Sequence, residues 1–169
     1  MTGAVPRSLP RLPNQVIPLA RPWKFLDQSA AITVVRGIQG YGKTTLVATW
    51  LRDQPEWIDS AWVSIVSGAE AEQTFGDRLV AALDRTRLIA ARGTRHSQTG
   101  MAPTDTALCA DALGLLDRVA AAIPLGRRLI VVIDNADSLR DTALLARLID
   151  VVADNERLQL ILCSRGAHP

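Results

Sequence analysis

One stretch constrains this chain more than any other: Gly37-Ile38-Gln39-Gly40-Tyr41-Gly42-Lys43-Thr44-Thr45. It satisfies G-x-x-x-x-G-K-[ST] at every fixed position, and each residue type has a mechanical reason to be there. Glycines at 37, 40 and 42 let the backbone turn tightly and bring N–H groups close to phosphate oxygens, where a Cβ would obstruct. Lys43 carries a compact charge to the β- and γ-phosphates of a nucleotide, and the Thr44 hydroxyl is a ligand type for Mg2+. Tyr41 and Thr45 fall inside the same stretch and count with the nucleotide-binding residues. A helix starting here turns its partly positive N-terminus on the same phosphates.

The flanks supply the context that the motif requires. Ala31-Ile32-Thr33-Val34-Val35 is a β-branched run suited to a buried parallel strand. After the loop, Leu46, Val47, Trp50 and Leu51 share one helical face, and Pro55 ends that helix. The chain has seventeen arginines and two lysines, yet a lysine stands where the motif needs one. A glycine-rich turn that matches by chance is the alternative, and strand-loop-helix order weighs against it.

The remaining chain reads as one α/β domain. Its 169 residues can bury a real core, and a net charge of +2 gives no polyanion-binding signal, so no direct DNA binding is expected of this segment. No apolar run reaches the ~20 residues of a membrane span, and no signal-peptide core is present, which makes cytoplasm the default. Cys109 and Cys163 sit in apolar patterns and read as reduced core residues. Residues 1–29 form a Pro/Arg-rich arm followed by a short helical segment, in which Trp23, Phe25 and Leu26 pack on the core. Residues 30–169 form the nucleotide-binding core, with the chain read as a possible truncation. Within it, Asp59-Ser60 turn the chain into a second strand over 61–66. Phe75, Leu79, Ala82 and Leu83 give a helical stripe. Residues 92–105 read as a loop holding His96 as a solvated side chain. A helix from about Thr106 carries Leu108, Ala112, Leu115, Leu116, Val119 and Ile123 and stops at Pro124 and Gly126.

Leu129-Ile130-Val131-Val132-Ile133-Asp134 is five apolar residues ending in an acid: a fully buried strand delivering a carboxylate to the end of the sheet where ligands bind. Asp134 reads as the Mg2+-side carboxylate, partnering Thr44, because Mg2+ takes few protein ligands and keeps water and phosphate oxygens. The alternative is a strand-end Asp that caps the next turn. Asn135 stands where many such ATPases carry a second acid, and a neutral amide cannot take a proton, so hydrolysis is expected to be slow or absent. Asp137 is close, but its offset from Asp134 does not put it on the same side. A helix with Leu144, Leu145, Leu148, Ile149 and Val152 on one face follows. Leu158–Cys163 is then a fourth strand, leading to Arg165, which reads as an arginine able to sense or stabilise the γ-phosphate, with a solvated tail residue as the alternative.

Val5-Pro6-Arg7, the 37–51 stretch, Ala61-Trp62-Val63-Ser64-Ile65, Leu129–Asp134 and Leu160–Arg165 together resemble the NTPase domain of large LuxR-type, maltose-regulator-like transcriptional regulators, members of the STAND class of signal-transduction ATPases. The resemblance implies a three-layer P-loop NTPase. Its parallel sheet of about four strands lacks the fifth core strand and the lid, and the first strand lies at an exposed edge open to self-association or a partner chain. It implies Mg-ATP or ADP as the ligand and places Arg7 by the base. The sequence departs from that family in having Gly37-Ile38-Gln39 in place of A-P-A, Asn135 in place of an acid, and acids only at Glu70 and Glu72 after the second strand. The family's DNA-binding helix-turn-helix has no counterpart in these residues. The expected function is an ATP-binding switch domain with weak hydrolysis. The alternatives are an active AAA-type ATPase that remodels a partner, or an interaction module with structural nucleotide only.

Overall fold

A computed structural model describes residues 9–12, 24–27, 30–66, 73–86 and 105–165. Four strands form a parallel sheet: β1 (Ile32–Arg36), β2 (Ile58–Ser64), β3 (Arg128–Asp134) and β4 (Leu158–Ser164), in the order β1-β4-β3-β2. Among the described residues four longer helices connect or flank them: α1 (Lys43–Arg52), α2 (Gln73–Asp84), α3 (Asp105–Ala121) and α4 (Thr142–Ala153). The expected α/β architecture with a four-stranded parallel sheet is therefore observed.

Parallel strands buried on both faces read as near-continuous apolar runs, and β3 does so from Leu129 to Ile133, with Asp134 the one buried acid at its end. Alternation along the strands divides the interior into two layers. Val131, Ile133, Leu158 and Leu160 face α2, α3 and α4, meeting Phe75, Leu79, Leu83, Leu116, Leu148 and Val152. Ile130, Val132, Ile161 and Cys163 face the opposite way, against Val47, Ala48, Trp50 and Leu51 of α1. The three layers are thus one helix, the sheet, and three helices.

Parts of the arm dock on the α1 layer. Leu9 and Leu12 pack against it and Leu26 is buried in it. The Trp50 indole Nε1 donates to Asp27 Oδ1 at 2.8 Å, and Arg52 donates to the Pro10 carbonyl at 3.2 Å. Residues 24–26 are helical as expected, but Phe25 is exposed and does not join the core, because one short turn presents a single face to it. Arg7, Trp23, Glu70, Glu72, His96 and the side chains of Leu108 and Cys109 lie outside the described residues.

Several boundaries shift. The second strand begins at Ile58, and Asp59 and Ser60, read as a turn, are buried ladder residues opposite Leu129 and Ile130. Pairing with β3 along seven residues overrides their turn preference. α1 ends at Arg52, before Pro55, as expected of a residue run approaching a proline. Ile149 is on the exposed side of α4 while Leu144, Leu148 and Val152 are buried, giving a narrower apolar stripe than the sequence suggested. Asp141 caps that helix, accepting from the Ala143 and Leu144 N–H groups at 2.8 and 3.0 Å. Among the described residues no helix is long and apolar enough to cross a membrane.

Candidate nucleotide site

β1 is tied to its neighbour up to the point where the loop leaves it: the Gly37 N–H donates to the Ser164 carbonyl at 3.3 Å. The loop then turns through Gly40 at φ 85° and Gly42 at φ 78°, values in the left-handed region that favours glycine. Gly37 differs: its φ is not in that region, and a Cβ there would meet the Lys43 methylenes at 3.7 Å, an ordinary contact. A Cβ at 40 or 42 would meet no protein atom within 4 Å, so the requirement for glycine at those two positions is the backbone conformation and not a protein clash.

Gly42 is the N-cap of α1, makes no side-chain cap, and the first helical turn contains no acid. The leading N–H groups of Lys43, Thr44 and Thr45 and the positive end of the helix therefore meet the loop with no negative side chain from that turn to offset them. Lys43 reaches back across the loop, its Nζ donating to the carbonyls of Gly37 and Ile38 at 2.6 and 3.0 Å. Tyr41 projects into solvent at the rim.

The fold joins this loop to the end of β3. The Thr44 Oγ1 donates to Asp134 Oδ2 at 2.8 Å, although the two residues are 90 apart in sequence. Asp134 Oδ1 accepts from the Asn135 N–H at 3.1 Å, so both oxygens of this buried carboxylate are oriented. Among the described residues no group of three or more His, Cys, Asp or Glu is placed to hold a metal. The donor set is one hydroxyl and one carboxylate, the small complement that suits Mg2+ when phosphate and water supply the other ligands. The residues present therefore fit a Mg-nucleotide.

Sequence reasoning placed Asn135 but missed what it does. It has φ 59°, and its Nδ2 donates to the Ile65 carbonyl just past β2 at 3.2 Å. The left-handed residue turns the chain out of β3 into a 3-10 turn over Ala136–Ser138. Asp137 on that turn faces β4, not Asp134: its Oδ1 accepts from the Arg165 N–H at 3.0 Å and its Oδ2 lies 3.5 Å from the Arg165 Nε. Arg165 thus follows the end of β4 whose Ser164 carbonyl meets Gly37 of the loop. Arg78, which the sequence did not single out, donates to the Ser64 carbonyl at 2.8 Å, at the residue in register with Asp134. Cys163 lies under the site. Burial first, then the Asp134 carboxylate, push its thiol up to about 12, against a lowering by Lys43.

The sequence matches the AAA ATPase domain family over residues 24–162, which takes in the loop, Asp134 and most of β4. The chain belongs to the AAA ATPase domain family. The fold of this AAA ATPase domain is also similar to that of a Walker-type ATPase from Pyrococcus abyssi, with a TM-score of 0.52 at 15% identity over 85% of this chain. The AAA ATPase domain spans 44% of that longer chain. No curated protein matches the sequence.

Proposed function

We propose that this AAA ATPase domain is a nucleotide-operated switch: it binds Mg-ATP or ADP, cleaves ATP slowly by itself, and serves in a signal-transducing regulator of the LuxR type. The observation that carries this reading is the 2.8 Å contact between Thr44 and Asp134, made beside a loop whose glycines and helix start are built for phosphate. Gly37, Gly40, Tyr41, Gly42, Lys43, Thr44 and Thr45 hold the phosphates, Thr44 and Asp134 hold Mg2+, and Arg165 meets the γ-phosphate. By the resemblance noted in the sequence, Arg7 lies by the base. A Mg2+ ion held by Thr44 and Asp134 would supply positive charge against that developing on the phosphates.

Slow cleavage follows from the amide at 135, which offers no proton acceptor where a carboxylate would activate water. The regulatory role rests on the resemblance to STAND regulators, and self-association through the β1 edge belongs with it. Among the described residues β1 pairs only with β4, and Val34 on it is half exposed, the kind of edge to which another strand adds. The AAA ATPase match favours a second reading, an active ATPase that remodels a partner.

Titration with a fluorescent ATP analogue, with and without Mg2+, beside a steady-state phosphate-release assay, separates these. Tight Mg2+-dependent binding with very slow release supports the switch. Brisk release supports the remodelling ATPase. No binding removes both.

A further inference from the structure

We infer that Asp137 is a positioning residue, which holds Arg165 at the mouth of the phosphate loop so that this domain distinguishes ATP from ADP. The inference rests on the nucleotide-binding reading above. Arg165 directly follows Ser164, whose carbonyl accepts from the N–H of Gly37, the first loop residue. Its neighbour Cys163 is in register with Asp134. The arginine therefore leaves the sheet between the two halves of the site.

A long side chain at a strand end has wide freedom, and fixing it on a ligand costs rotamer entropy. Asp137 removes part of that freedom beforehand. One of its oxygens takes the Arg165 backbone N–H and the other approaches Nε, so a single carboxylate holds both the main chain and the root of the guanidinium. The carboxylate itself is aimed by the turn that Asn135 begins, one residue after Asp134. The pair joins the turn after the Mg2+-side strand to the strand end beside the loop.

Structural glue is the competing account. The two side chains are 43% and 31% exposed, and ion pairs at that exposure contribute little to folding. A substitution at 137 should then leave the fold intact and act on the arginine.

The test is the ratio of ATP to ADP affinity, measured by isothermal titration with Mg2+ on wild type, Asp137→Ala, Asp137→Asn, Arg165→Ala and the double Ala variant, with thermal melts in parallel. Wild type should prefer ATP. Arg165→Ala should lower that preference about tenfold, the size of one charge-assisted hydrogen bond, with ADP affinity unchanged. Asp137→Ala should lower it by a similar factor and add nothing in the double variant. Asp137→Asn, which keeps an acceptor for the backbone N–H and loses the charge, should fall between. An unchanged ratio in Asp137→Ala, equal loss for both nucleotides, or additive effects in the double variant overturns the inference. So does a wild type with no preference for ATP. A wild type that binds neither nucleotide refutes the proposed function itself, a result distinct from all of these.

Discussion

The Asn135→Asp substitution exchanges an amide for a carboxylate of the same shape and sets two effects against each other. The wild-type Nδ2 donates to the Ile65 carbonyl at 3.2 Å. The introduced carboxylate has no proton to donate there, so the tie to the end of β2 is lost and two acceptors face each other. A lost hydrogen bond with an opposed buried acceptor costs roughly 1–3 kcal/mol. For a domain of this size each kcal/mol moves Tm by about 2–4 °C, so the melt should fall by about 2–12 °C. The deficit is pH-dependent. The carbonyl and Asp134 favour the protonated form of the new group in the folded state. The deficit therefore vanishes below the ordinary carboxylate range, about pH 4, and grows as pH rises through it. Turnover moves the other way: released from Ile65, the carboxylate can activate water, a contribution of ~10²–10⁴-fold where geometry allows. Asn135→Ala separates the two effects, losing stability with no gain in turnover. It pays an additional ~1 kcal/mol because alanine tolerates the left-handed φ of 59° less well than asparagine. Differential scanning fluorimetry from pH 4 to 8 and a phosphate-release assay measure both effects. A wild-type melt for Asn135→Asp at pH 7 refutes the structural half. Brisk wild-type release that Asp137→Ala abolishes and Asn135→Asp leaves alone refutes the catalytic half.

Lys43→Ala should weaken binding of a fluorescent ATP analogue at least tenfold, since it removes the charge that the loop carbonyls of Gly37 and Ile38 hold in place; wild-type affinity in excess Mg2+ would take the loop out of the site. Asp134→Ala should lose Mg2+-dependent affinity while affinity in chelator falls much less, and equal falls would show that the carboxylate does not hold the metal. Cys163 should resist iodoacetamide in the folded protein at pH 8 and react only on unfolding. Because its folded value of about 12 is raised above the ordinary 9.0, the stability it contributes is present below pH 9 and is lost between 9 and 12. A flat stability profile across that window would contradict this.

The phosphate loop, its flanking strand and helix, and Asp134 were legible because each rests on a local pattern: a fixed motif, a β-branched run, a 3.6-residue stripe. The start of β2 was not, because Asp59 and Ser60 have turn chemistry and only the ladder with β3 holds them extended. Asn135 and Asp137 show the same limit in the site. Their identities raised the right question about the missing acid, but their roles depend on a backbone in the left-handed region and on β4 arriving next to β3. Neither can be read from spacing. The Arg165–Asp137 pair had no local signal, since its partners are 28 residues apart, one on the turn after β3 and the other just past β4.

The strand order also dictates when the site can exist. β1 and β3 are not neighbours; β4 is wedged between them, and among the described residues β1 joins the sheet through β4. The loop is therefore made early in synthesis, while the strand that pairs with its carrier, residues 158–164, emerges late. Long loop closures of this kind are slow, and a chain growing from its N-terminus holds β1 unpaired through most of its translation. Thr44 follows the loop after β1, Asp134 ends β3, and β4 separates the two strands, so the finished sheet holds the pair that nucleotide would meet. Bound there, nucleotide stabilises the assembled domain.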